Sequence, residues 1–415
     1  MSFLRVAAIV FIFLGASVAW LVLGGVTASR GGSQSTKLRD SVAELWGRPQ
    51  AQAAPSLTFE AVQRRAVRRV ETIGATRREI DEEIEEKSTR EVALAESDVT
   101  VDLALDQRRK GLAWYSLYDV AFRAAYRYEH VEREKGTLRI GFRFPDPQGV
   151  YDDFHLIING VEQDLKPKGG EMQAQLAVAP GQRVAFEIRY RSRGESEWKY
   201  VPDTNVASIK NFKLVMSTDF VDIDYPAMTM SPSTRERTAK GHKLEWRFSQ
   251  VVTGHAIGMT MPKRLQPGEL AAAMSFSAPV SLLFFFLVMF VLALVKKIEL
   301  HPMNYLFLAA TFFAFHLLFA YSVDHLQIVP AFALSSGVSV LLLVSYLRLV
   351  VSARFAFVEA AAAEIVYLVG FSLAHFWEGF TGLTVTVLSI VTLFVLMQVT
   401  GRVRWADRTE RGAAA

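Results

Sequence analysis

The chain has 415 residues, 51% of them apolar, a formal net charge of +4 and no cysteine. So small a charge, with no basic patch interleaved with aromatics, argues against a nucleic-acid partner. The missing cysteine excludes disulfides, thiolate catalysis and Cys-ligated zinc. The apolar residues are unevenly spread. Residues 30–270 have the composition of a water-facing domain, while six segments reach the roughly 17–25 apolar residues that cross a hydrocarbon core.

The first such segment runs from Val6 to Ala28, between Arg5 and Arg30. Val26-Thr27-Ala28 offers small residues for signal-peptide cleavage. The apolar run is longer than a signal-peptide core, so residues 1–29 read as an uncleaved anchor. Ser33–Trp46 then reads as a short amphipathic helix with Leu38, Val42 and Leu45 on one stripe, stopped by Gly47 and Pro49. Beyond Pro55, Phe59, Ala66, Ile73 and Ile80 recur every seven residues, with Val70 and Ile84 offset by four. This predicts a helix or helix pair broken near Gly74, making 33–92 helical and charged; irregular strand and loop is the rival reading. The acidic run Asp81–Glu86 is expected to be a solvated face. A calcium loop needs an Asp-rich run with a turning glycine, so no metal is expected.

Over 97–262 the period becomes two, which predicts strands with one buried face. Val99, Val101, Leu103 and Leu105 alternate with polar residues, as do Leu138–Phe144 and Val184–Tyr190. Further strands are expected at Ile209–Met216, Phe220–Asp224, Lys243–Phe248 and Ala256–Met261, with a loop over Tyr225–Ser233. Asn159-Gly160 predicts a two-residue hairpin turn, since both positions need positive φ. Gly169-Gly170, Pro180-Gly181 and Arg193-Gly194 mark further turns. Strands so spaced suggest an antiparallel sandwich. Trp114, Tyr115, Tyr118, Trp198 and Tyr200 could form an aromatic platform for glycan or peptide, but at this spacing they fit sheet core better.

The remaining spans are Ala271–Val295, Met303–Val323, Ile328–Leu347, Ala356–Phe376 and Thr381–Val399, a five-helix bundle over 271–405 before a tail at 406–415. Lys296-Lys297, then Arg348 and Arg354, then Arg402, Arg404, Arg408 and Arg411 mark alternate loops. The loops at Asp324-His325 and Glu378-Gly379 carry no Lys or Arg. That is the positive-inside pattern, with both termini cytoplasmic and residues 30–270 outside. Trp20, Trp377 and Trp405 are expected near the membrane interfaces. The fold class is therefore an α-helical polytopic membrane protein of six spans, with a large β-rich (α+β, sandwich-like) domain between the first span and the second.

Several stretches resemble the CreD (Cet) family of bacterial inner-membrane proteins. Val42-Ala43, Trp46-Gly47, Pro49-Gln50 and Pro55 are similar to the residues that follow the family's first span. Lys110-Gly111-Leu112 with Leu117-Tyr118 resembles its strand entry. His301-Pro302-Met303-Asn304-Tyr305-Leu306 resembles its His-Pro-x-Gln-Tyr-Leu. Phe315-His316-Leu317-Leu318 through Ser322-Val323-Asp324-His325 resembles the outer end of the same helix, and Val403-Arg404-Trp405 its closing basic-Asp-Trp. Gln266-Pro267-Gly268-Glu269 stands where the family has Pro-x-Asp-x-Tyr, which marks a divergent member. The resemblance implies a Gram-negative inner-membrane protein tied to envelope integrity and stress response, with no catalytic residue or cofactor to carry over.

Ionisable groups inside a bilayer are costly and so are candidates for function. Four stand out: His316, Glu359, Glu364 and His375. Glu359 lies near the cytoplasmic end and can snorkel. Glu364 and His375 are eleven residues apart, close to three α-helical turns, so they are expected on one face with Tyr367 and Phe371 between them. That face could line a proton-sensitive path. The blander reading is an interhelical hydrogen bond from a protonated Glu364, with Ala360–Ala363 and Gly370/Ala374 allowing close packing. His301 before Pro302 suits a helix cap. Asp324 and His325 suit an ion pair closing a short turn, and an exposed His325 could sense pH. Ser335-Ser336-Gly337 reads as helix packing rather than a nucleophile. No catalytic or cofactor motif is present. The first functional expectation is a non-catalytic envelope protein whose outer domain binds a protein partner or envelope component. The alternatives are a transporter or channel using Glu364 and His375, and a membrane enzyme acting on lipid-linked or glycan substrate through His301, Asp324 or His325. Oligomeric state stays open.

Overall fold

The computed structural model describes residues 3–73, 76–111, 113–202, 209–377 and 379–401, with side chains for all of these except 3, 34–37, 39–40 and 63–86. The expected break at Gly74, the interfacial Trp405 and the basic tail from Arg402 onward lie outside the described residues. Two compact units divide the chain. One holds Met1–Leu38, Lys110–Ala113 and Leu265–Ala415, the other Arg39–Arg109 and Trp114–Arg264.

The first unit is helical. Its helices are α1 Phe3–Trp46, α2 Pro267–Lys296, α3 Pro302–Ser322, α4 Ile328–Val350, α5 Phe355–Phe376 and α6 Thr381–Thr400. Six helical segments among the described residues, Leu4–Ser33 and α2 to α6, are long and apolar enough to cross a membrane. Their apolar residues point two ways, some packed in the bundle and some on its outside. Phe285, Phe312 and Phe315 are fully buried, whereas Leu341, Leu383 and Phe394 are exposed. Trp20 is fully buried in the bundle, edge-on to Phe313 and His316. Two ion pairs mark opposite ends of the bundle. Lys296 at the end of α2 meets Glu359 near the start of α5. Arg30 of α1 meets Asp324, just past α3, at 2.9 Å. The helices therefore thread the bundle alternately.

Helix α1 does not stop at the first span; anchor and expected amphipathic segment are one helix of 44 residues. Of the expected apolar stripe, Val42 is buried and Leu45 exposed. Gly47 ends the helix at φ +98°, its N–H donating to Ala43 O at 3.0 Å.

The second unit is built of strands, which in chain order are β1 Gln50–Ala53, β2 Ser56–Ile73, β3 Thr76–Glu91, β4 Glu96–Lys110, β5 Ala113–Glu129, β6 Gly136–Arg143, β7 Tyr151–Ile158, β8 Val161–Glu162, β9 Glu171–Val178, β10 Arg183–Glu195, β11 Glu197–Val201, β12 Ile209–Thr218, β13 Thr234–Arg237, β14 His242–Val251 and β15 Ile257–Thr260. They form an eight-stranded sheet (β13-β14-β12-β4-β5-β10-β7-β8), a four-stranded sheet (β3-β2-β6-β9) and a three-stranded sheet (β1-β11-β15). Inward faces of all three share one core, including Phe59, Phe122, Tyr190, Trp198 and Trp246. Each large apolar side chain so buried contributes about 1.5–3 kcal/mol. Tyr118, Trp198 and Tyr200 are sheet core, as the alternation implies. The sheets are mixed rather than purely antiparallel, since β1–β11 and β4–β12 run parallel.

The helix expected beyond Pro55 is a hairpin, β2 with β3, in register from Thr58↔Glu91 to Ile73↔Thr76. Its register sets Arg64 across from Glu85, Arg68 from Asp81 and Glu71 from Arg78. The charged face expected of the acidic run lies outside the described side chains. The seven-residue spacing misled because the local apolar pattern there, Leu57, Phe59 and Ala61, is also period two, and those three are buried.

Asn159 (φ 48°) and Gly160 (φ 80°) make the expected hairpin turn, and the glycines at 169, 170 and 181 sit at positive φ in theirs. Arg193-Gly194 is not a turn. It continues β10 opposite Asp119 and Tyr118, because a Cβ at Gly194 would lie 2.3 Å from the Tyr118 hydroxyl. The reversal falls at Ser196, φ 67°. Phe220–Asp224 leaves the sheet as a loop, where the Asp219 carboxylate accepts the Leu105 N–H at 2.8 Å.

Candidate functional site

Of the four ionisable candidates, Glu364 has the most developed polar surroundings. This residue sits mid-way along α5 and is fully buried. Ser339 of α4 places its hydroxyl 2.5 Å from Glu364 Oε1 and 2.8 Å from the Thr311 carbonyl of α3. Three helices thus meet at one carboxyl group, whose second oxygen, Oε2, is buried without a hydrogen-bond partner among the described residues. The backbone there is unusual: π-helical segments Phe355–Ala360 and Ile365–Gly370 flank Ala361–Glu364. Such π segments are rare and recur at functional sites.

The side chains of this segment reach several helices. Glu364 addresses α4 and α3, whereas the Tyr367 hydroxyl pairs with Thr392 of α6 at 2.9 Å and the Tyr367 carbonyl accepts from Ser281 of α2. His375 donates from Nδ1 to the Phe371 carbonyl at 3.2 Å, and His316 from Nδ1 to the Phe312 carbonyl at 2.9 Å. Both rings are spent partly on their own helices, and neither bonds Glu364. Glu359 pairs with Lys296 rather than reaching water alone.

The signature residues hold helix ends and junctions. His301 caps α3, its Nδ1 accepting the Met303 N–H at 3.3 Å, with Pro302 in the first turn. Asn304 accepts from the Tyr346 hydroxyl at 2.9 Å, and Tyr305 is buried edge-on to Phe286. Asp324 does not close its turn with His325. Its partner is Arg30, which also donates to the Ala320 carbonyl at 3.0 Å and lies over the Tyr321 ring. In the adjacent turn the His325 N–H donates to Ser322 O, and the ring is exposed. Sequence reasoning treated Arg30 only as a flank of the first span and missed this pairing. It missed Thr311 and Ser339 as well, although Ser335 and Ser339, one turn apart, form a polar stripe that could have pointed to them.

At the other signature cluster, Gln50 is buried and donates to Ser192 Oγ (2.9 Å) and Arg193 O (2.8 Å). Gln52 accepts from Tyr190 at 2.8 Å and donates to the Arg143 carbonyl. Arg108 lies over the Trp46 ring. Beside this junction opens a cleft of about 1010 Å³, walled by the last turn of α1 and by outward residues of β4, β5 and β10, among them Asp102, Asp119, Arg191 and Arg193.

One titrating cluster lies on the β7–β8 hairpin. His155 binds Glu162 through Nδ1 and Asp153 through Nε2 (3.1 Å). Hydrogen bonding to Glu162 and then Asp153 raises its proton affinity, and the same contact holds Asp153 below the usual carboxylate range. A raised histidine contributes stability that is complete below its ordinary value of about 6.5 and lost as pH rises through the folded value. A lowered aspartate contributes above about 3.9 and loses it as pH falls. Their windows overlap between those values. In an NMR titration, His155 is expected to lose its proton at higher pH in the native protein than in a D153N/E162Q double variant; identical curves would contradict the pairing.

No curated protein matches the chain. Among solved structures, a Legionella pneumophila protein provisionally named as nutrient binding aligns at 11% identity, TM-score 0.31, over 59% of this chain and 95% of its own. An M1 zinc metallopeptidase mutant from Deinococcus radiodurans aligns at 10% identity, TM-score 0.24, over 40% of this chain and 42% of its own. Likenesses this slight transfer neither fold nor activity. The sequence model described as inner membrane protein CreD, in contrast, matches residues 1–406. That match spans the anchor, the β-rich domain and the bundle, and the chain belongs to the CreD family of inner membrane proteins.

Proposed function

We propose that the protein is a non-catalytic inner-membrane protein supporting cell-envelope integrity under stress. Both termini lie in the cytoplasm and residues 30–270 in the periplasm. There the β-rich domain binds an envelope component or protein partner, with the cleft beside Trp46 as the contact site. The observation that carries this reading is the work given to the signature residues. His301 caps a helix, Asp324 clamps α3 to α1, and Gln50 anchors the strand that follows α1. These are fold-holding roles, and α1 runs without a break from the first span to Gly47. A partner engaging the outer domain would therefore pull on the helix that the bundle clamps. Placing the Lys296–Glu359 end of the bundle inside follows from the positive-inside pattern of the loops.

Deleting the gene is expected to raise sensitivity to detergents and cell-wall antibiotics, with rescue by the wild-type chain. Unchanged sensitivity would count against the envelope role.

A further inference from the structure

We propose that Glu364 is a proton-binding site at the centre of the membrane bundle, occupied by a proton in the arrangement seen here. A serine hydroxyl carries one proton. Ser339 Oγ lies within hydrogen-bonding distance of two oxygens, the Thr311 carbonyl and Glu364 Oε1. A carbonyl only accepts, so when Ser339 donates to Thr311 its contact with Glu364 is satisfied only if Glu364 donates. The neutral acid completes the chain from Glu364 O–H to Ser339 to Thr311. An ionised Glu364 would take the serine proton, leave two acceptors facing each other at 2.8 Å, and bury a charge whose Oε2 has no partner.

No cation compensates such a charge among the described residues. On α5 itself, Glu359 is paired with Lys296, His375 donates to Phe371 and Tyr367 bonds Thr392. On α3, His316 donates to Phe312, Tyr305 packs on Phe286, and Tyr321 lies under Arg30 at the helix end. On α4, Tyr346 donates to Asn304 and Arg348 is exposed. On α2, Glu269 and Lys296 stand in the first and last turns. Glu364 lies roughly 14 and 18 Å from the two ends of α5 at α-helical rise. A carboxyl at that depth is costly to keep unless it is used. Two π segments, rare in helices and recurrent at functional sites, flank it.

The test is infrared spectroscopy of the full chain in lipid nanodiscs, titrated with pH. Wild type is expected to show a protonated carboxylic C=O band at neutral pH that E364Q lacks. The E364Q substitution should preserve the fold, because the amide it introduces can donate to Ser339 as the acid does. S339A removes the acceptor and is expected to shift the band to higher frequency. A wild-type spectrum without this band at neutral pH, or a band unmoved by S339A, overturns the proposal. The S339A arm reads the same group even where E364Q folds poorly.

Discussion

Gly47→Val is expected to destabilise the β-rich domain by at least about 3 kcal/mol, enough to leave it protease-sensitive at growth temperature. Gly47 sits at φ +98°, a backbone region that side chains disfavour. The space is closed as well: a Cβ there would lie 2.3 Å from the Arg193 carbonyl oxygen. That oxygen accepts from Gln50 Nε2, so any shift of β10 also breaks the contact that anchors the next strand. Strain and collision therefore add. Gly160→Ala supplies the control, since Gly160 has φ +80° with nothing within 4 Å of its built Cβ. Strain alone is expected to cost about 1–2 kcal/mol there. Thermal unfolding with limited proteolysis separates the two; equal losses would mean that the Arg193 collision is relieved cheaply.

Asp324→Ala is expected to cost about 3 kcal/mol of bundle stability. The pair it breaks is half-shielded, with side-chain exposures of 30% for Arg30 and 18% for Asp324. Its loss leaves a guanidinium at the end of the bundle with, among the described residues, only the Ala320 carbonyl and the Tyr321 ring. Asp324→Asn keeps an acceptor and is expected to lose less. The order Ala worse than Asn in a detergent melting series checks the assignment, and the reverse order would contradict it.

The spans were legible because a hydrocarbon solvent demands long apolar helices, and each predicted span falls within a few residues of a helix in the structure. The strands over 97–262 were legible from alternation, down to the Asn159-Gly160 turn. The β2–β3 hairpin was not, because heptad-like spacing competes with alternation in a stretch where most positions paired across the register are charged rather than apolar. The Arg193-Gly194 reading failed for a related reason: glycine there makes room for the Tyr118 ring of a neighbouring strand, a contact invisible along the chain. Glu364 could be singled out by burial cost alone, but its partners could not. Ser339 and Thr311 lie 25 and 53 positions away in sequence and meet it only through helix packing.

Under the proposed function, Asp324 acts as a clamp on α1 and not as a reacting group. The most direct measurement is a charge swap. Asp324→Arg and Arg30→Asp, each alone, are expected to lower thermal stability and to fail to rescue envelope sensitivity in a deletion strain. The combined R30D/D324R variant is expected to recover both. If the double variant regains stability yet still fails to rescue, the carboxylate at position 324 has chemistry of its own and the clamp account is wrong.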